Sequence, residues 1–107
     1  MKRRELHKIP GAKVRCHIYV GSHEVPVWDA DLTKAGGMFG LAFDDPEPEI
    51  WINSKATRQQ QARALVHEAV EVINNVYQIG LSETQVRIME QCLCQSFRIT
   101  RRGKGSN

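Results

Sequence analysis

Residues 57–80, TRQQQARALVHEAVEVINNVYQIG, form the stretch on which the fold turns. Ala62, Leu65, Val66, Ala69, Val70, Ile73, Val76 and Tyr77 fall on one arc at roughly 100° per residue, the pattern of an amphipathic helix. Gly80 supplies its C-terminal stop. Ser82, with Glu83 to Gln85 behind it, predicts a capping-box start for a second helix, whose apolar positions Val86, Met89, Leu93 and Phe97 recur at spacings of three and four. Only Gly80 and Leu81 separate the two segments, so residues 57–99 read as an antiparallel helical hairpin.

Upstream the period is that of strands. KVRCHIYV (13–20) and EVPVW (24–28) are rich in β-branched and aromatic residues and flank the turn-like Gly21-Ser22. Pro26 has no backbone donor, which predicts an edge or irregular strand for the second segment. After the break at Gly36-Gly37, segments 40–43 and 49–53 alternate on either side of Asp44-Asp45-Pro46-Glu47, the composition of a hairpin turn. The expected fold is therefore α+β: a small, mostly antiparallel sheet packed on the C-terminal helical hairpin. No internal repeat or linker interrupts it. A chain of 107 residues suits one domain, with an ordered core over about 10–99, flexible termini and a disordered GKGSN tail.

Composition narrows the function. Hydrophobic residues make up 41% and charged residues 25%, ordinary for a globular protein, and no apolar run is long enough to cross a bilayer. The basic start lacks the apolar core and small-residue cleavage site of a secretory signal, which points to the cytoplasm. Cys16, Cys92 and Cys94 are an odd set; Cys92 and Cys94 would point about 200° apart on a helix, poor geometry for a disulfide or a shared ion. They read as structural or incidental thiols. The net charge of +3 is concentrated in Lys2, Arg3, Arg4 and Lys8 and in Arg98, Arg101, Arg102 and Lys104, which read as solvated tails. With no helix-turn-helix, zinc knuckle or interleaved basic and aromatic strand, the sequence disfavours nucleic acid as a partner.

The chemistry lies on the helices. His67 and Glu71, four apart, emerge on nearly one azimuth at the border of the apolar arc, with Asn74 and Gln78 continuing the stripe and Glu68 flanking it. An exposed helix flank presents the same pattern, and a lone His/Glu pair at this spacing is ordinarily a surface hydrogen bond. Glu90 changes the weighing, because Val86, Met89, Leu93 and Phe97 surround it on the second helix's apolar arc. A carboxylate there needs a partner. Either it pairs with an arginine such as Arg63 or snorkels to the rim, or it joins His67 and Glu71 as the third ligand of a divalent metal. Three protein ligands plus water is the composition of a catalytic zinc site.

The run IWINSKATRQQQARALVHEAVEVIN, with Glu90 downstream in MEQCLCQSF, resembles small phage-encoded proteins related to minimal zincin metallopeptidases of the ImmA/IrrE type. The resemblance covers roughly residues 40–97. In that family a strand precedes a helix bearing H-E-x-x-H; two histidines bind zinc, the glutamate between them is the general base, and a downstream acid often completes the site. The resemblance makes His67 the first ligand, Glu68 the base and Glu90 the downstream ligand, with Glu71 in place of the second histidine. Two carboxylates and one imidazole are a harder, more negative set, which admits Mn2+ or Fe2+ beside Zn2+ and weakens the metal's Lewis acidity.

The resemblance implies a metallopeptidase-like hydrolase acting on a peptide or protein in the host bacterial cytoplasm, with the edge strand beside the metal helix receiving an extended peptide. The alternative is a non-catalytic phage accessory protein that keeps the metal-binding scaffold to hold a protein partner. Hydrolysis also needs an electrophile near the metal, for which Tyr77 and His23 are the nominees. His7, His17 and His23 otherwise read as solvated or core histidines. Trp28, Trp51, Phe39 and Phe43 read as sheet packing, some of them lining a peptide groove.

Overall fold

A computed structural model describes residues 2–44 and 47–96. Strands β1 (Lys13–Val20), β2 (His23–Ala30), β3 (Gly40–Phe43) and β4 (Glu49–Asn53) form one sheet in the order β1-β2-β4-β3. Two antiparallel hairpins, β1–β2 and β3–β4, are joined along a parallel seam that pairs Val27–Ala30 with Ile50–Asn53. The seam makes β2 an interior strand rather than the edge that Pro26 suggested. The proline is tolerated because it lies just before the four residues that β4 pairs, where β2 has β1 alone as a neighbour. Asp45 and Pro46 of the expected β3–β4 turn lie outside the described residues.

Helix α2 (Arg58–Val76) crosses one face of this sheet. Thr57 caps its start, accepting from the Gln60 backbone while the Gln60 side chain accepts from the Thr57 backbone. The helix stops before Gly80. Gln78 takes the left-handed position (φ 52°), Ile79 N–H returns to Asn74 C=O, and the Asn74 amide pins Leu81 in both directions. Gly80 is left-handed as well (φ 84°), so the glycine and the side-chain clasp together turn the chain out of the helix. Ser82 and Gln85 form the reciprocal cap of α3 (Glu83–Ser96), which folds back along α2 as expected. Val86 is buried and Leu93 is half-buried, whereas Met89 is exposed; Phe97 lies outside the described residues.

Alternation along β4 sends its side chains to opposite faces, and both faces are covered. Ile50 and Ile52 pack with Val25, Val27, Ala64 and Val72 under α2. Trp51 packs with Leu6, Ala30 and Leu32 on the far side, the sheet packing expected of it. That side is closed by the amino-terminal segment, including the short helix α1 (Arg3–Leu6). The basic start is therefore docked rather than a flexible, solvated tail, because Leu6 is fully buried and Glu49 anchors Arg3 and His7. Among the described residues, no helix is long and apolar enough to cross a membrane.

Candidate metal centre

The site is built where α2 passes the free edge of the sheet. Gly40 opens β3 beneath α2, and a Cβ there would lie 3.1 Å from Glu68 Cγ and 3.2 Å from Ala64 Cβ, tight enough that helix or strand would have to give by a few tenths of an ångström, so glycine favours their close approach. Asn53, at the end of β4, locks the approach. Its backbone N–H donates to Phe39 C=O, its side-chain amide donates to Met38 C=O, and its Oδ1 accepts from the backbones of Leu32 and Lys55. Between strand and helix lies a cavity of about 420 Å³ lined by Phe39, Gly40, Arg63, His67, Glu68 and Glu90, among others.

His67, at the centre of the cluster, meets carboxylates through both ring nitrogens. Its Nε2 faces Glu71 Oε2 at 3.8 Å and Glu83 Oε1 at 3.9 Å. Its Nδ1 meets Glu90 Oε1 at 2.9 Å, and the other Glu90 oxygen lies 3.4 Å from Arg63 Nε. The sequence thus brings His67, Glu71 and Glu90 together, but on two different sides of the imidazole. The group whose donor atoms converge is His67, Glu71 and Glu83, all within 4.8 Å of one another. Ligand atoms around tetrahedral zinc stand about 3.3 Å apart, given bonds of about 2.0–2.1 Å. The triangle therefore needs only modest contraction, which the exposed Glu83 side chain can supply. One imidazole and two carboxylates are a donor set that fits Zn2+, Mn2+ or Fe2+.

No protein-family model matches the chain, and no curated protein or solved structure matches it.

Glu68 points into the cavity beside this cluster. Burial is the main reason its carboxyl is raised to about 7; a charged His67 opposes the rise, and the negative charges of Glu71, Glu83 and Glu90 add to it. Glu83 was missed by sequence reasoning. It sits in the first turn of α3, where an acid is read as a partner for the helix dipole, and only the fold-back of the hairpin brings it to a histidine sixteen residues earlier. Arg63, considered there only as a partner for Glu90, fills that role and lines the cavity as well. The proposed electrophiles are elsewhere. Tyr77 and His23 face each other with ring centroids 6.2 Å apart, and ten residues of helix place Tyr77 about 15 Å from His67. Cys16, Cys92 and Cys94 are free thiols.

Proposed function

We propose that this protein is a metal-dependent hydrolase of the metallopeptidase type, with His67, Glu71 and Glu83 holding the ion and Glu68 serving as general base. The observation that carries the reading is the convergence of the Glu71 and Glu83 carboxylates on His67 Nε2, next to a cavity that contains a further carboxylate and borders a free strand edge. A divalent ion there would acidify a water and polarise a carbonyl. The residues of the chain supply the rest. Among the described residues β3 pairs with β4 alone, so its other edge offers backbone donors and acceptors to an extended peptide. Phe39, half-exposed at the rim, offers an apolar contact to a substrate side chain. Glu68, which lines the cavity beside the three ligands, would take a proton from the attacking water and return it to the leaving amine.

A second reading, a non-catalytic scaffold that binds a protein partner, draws on Glu71. A second carboxylate where the resembling family has histidine weakens Lewis acidity without preventing metal binding. The two readings separate in one experiment. Chelator-stripped protein is titrated with Zn2+ and Mn2+ and then incubated with a library of internally quenched peptides. The hydrolase reading expects metal uptake near one equivalent and cleavage that Glu68→Gln abolishes without loss of metal. Uptake without any cleavage would leave the scaffold, and failure to take up metal would end both.

A further inference from the structure

Glu90 occupies the place of the downstream ligand, yet it approaches His67 from the nitrogen that faces away from the other two acids. An imidazole's two nitrogens diverge, so a cation held at Nε2 with Glu71 and Glu83 is out of reach of a carboxylate oxygen bonded at Nδ1. The second oxygen of Glu90 is engaged by Arg63, four residues before His67 on the same helix. Each oxygen of this half-buried carboxylate therefore has a cationic or N–H partner before any ion is considered.

We propose that Glu90 is a positioning residue for the metal centre: it accepts Nδ1–H of His67, directs the Nε2 lone pair towards Glu71 and Glu83, and is itself held by Arg63. The inference rests on the metal-site reading above. Metal-binding histidines usually donate their second N–H to a carboxylate, carbonyl or water, which fixes the tautomer and raises the basicity of the coordinating nitrogen. Here the chain of contacts runs from Arg63 on α2 to Glu90 on α3 and back to His67 on α2, so the packing of the two helices sets the orientation of the ring. Arg63 also keeps Glu90 from swinging into the ligand set, where a third carboxylate would make the centre more negative.

The test uses the full chain, stripped with chelator, and titration with Zn2+, Mn2+ and Co2+ by calorimetry and visible absorption, together with the nitrogen-15 spectrum of the histidines. Glu90→Ala should bind about 10- to 100-fold more weakly, the usual loss on removing a partner of a ligand. It should keep the wild-type stoichiometry and cobalt spectrum and lose the hydrogen-bonded Nδ1–H signal of His67. Glu90→Gln, whose amide oxygen accepts the same bond, should recover part of that affinity. Arg63→Ala should lose less than Glu90→Ala, with the same unchanged spectrum, and it carries the test with Glu90→Gln if Glu90→Ala does not fold. Glu83→Gln should instead alter the cobalt spectrum, because it removes a ligand. If the spectrum changes in Glu90→Gln and not in Glu83→Gln, Glu90 is a ligand and the proposal falls. Wild-type affinity in both Glu90→Ala and Glu90→Gln also overturns it, leaving the metal reading intact. A wild-type protein that takes up none of the three ions overturns the metal reading itself and this inference with it.

Discussion

Two glutamate-centred clusters lie on opposite faces of the sheet, and they are built to opposite ends. On the far face, Glu49 is almost wholly buried and meets an excess of donors: Arg3 at 2.6 and 2.8 Å, His7 Nε2 at 3.0 Å and Trp51 Nε1 at 2.6 Å. Trp28 and Trp51 stack with centroids 4.9 Å apart, and His7 stands edge-on to both. On the near face the ratio is reversed. Glu68, Glu71, Glu83 and Glu90 crowd one imidazole, with Arg63 as the guanidinium in contact. A buried anion surrounded by donors is a structural anchor, complete in itself. An acid-rich group that stays partly open to solvent has acceptors to spare, which is the electrostatic condition for holding a cation.

The sharpest way to break the contrast is Glu49→Ala. It removes the acceptor that the buried Trp51 N–H shares with Arg3 and His7, and the expected loss is about 3 kcal/mol, the low end for one partner removed from a buried ion pair because Arg3 and His7 stay partly exposed. Urea denaturation should give the same loss with metal and with chelator. A metal-dependent loss would mean that the two faces are coupled.

Metal removal comes next. An ion present at about 100 times its dissociation constant should stabilise wild type by about 2.7 kcal/mol, a difference that chelator abolishes. His67→Ala should melt at one temperature in both conditions. If it keeps the metal-dependent shift, the ion binds elsewhere.

A third test uses pH on metal-free protein. Glu68 is raised from 4.5 to about 7 in the folded state, so folding favours its protonated form. The stability it contributes is fully present below pH 4.5 and is lost as pH rises through about 7. With solvent screening, the expected fall is on the order of 1–2 kcal/mol. Glu68→Gln should remove this component across that window, and a pH profile unchanged by the substitution would place the carboxylate in a wetter setting.

The smallest effect belongs to Glu83. In chelator, Glu83→Gln should change stability by less than about 0.5 kcal/mol, because the side chain is largely exposed. With metal present, its melting temperature should fall below that of wild type, and equal melting in both conditions would exclude Glu83 as a ligand.

The contrast also explains what the sequence made legible. The strand ranges, both helix starts and the His67, Glu71 and Glu90 neighbourhood follow from local period, capping residues and helical spacing, all short-range signals. The role of the amino terminus does not. Arg3 and His7 look like any basic tail until Glu49, more than forty residues away, is placed beneath them. In EIWIN, alternation places Glu49, Trp51 and Asn53 on one face, but no local signal says which segment covers that face. Glu83 eluded the sequence for a related reason. Helical spacing arranges groups within one helix, whereas the meeting of Glu83 with His67 depends on how two helices are rotated about their axes.

The parallel seam between β2 and β4 bears on how the molecule assembles. Each hairpin closes between neighbours in the chain, but the seam joins strands separated by the whole of β3 and its flanking loops. Contacts of such separation form late, after the local hairpins have reduced the loop to be closed. Conservative substitutions at Val27 or Ile52 should therefore speed unfolding more than they slow folding, while substitutions within the α2–α3 hairpin should do the reverse. Stopped-flow kinetics that found the seam already formed at the barrier would invert that order.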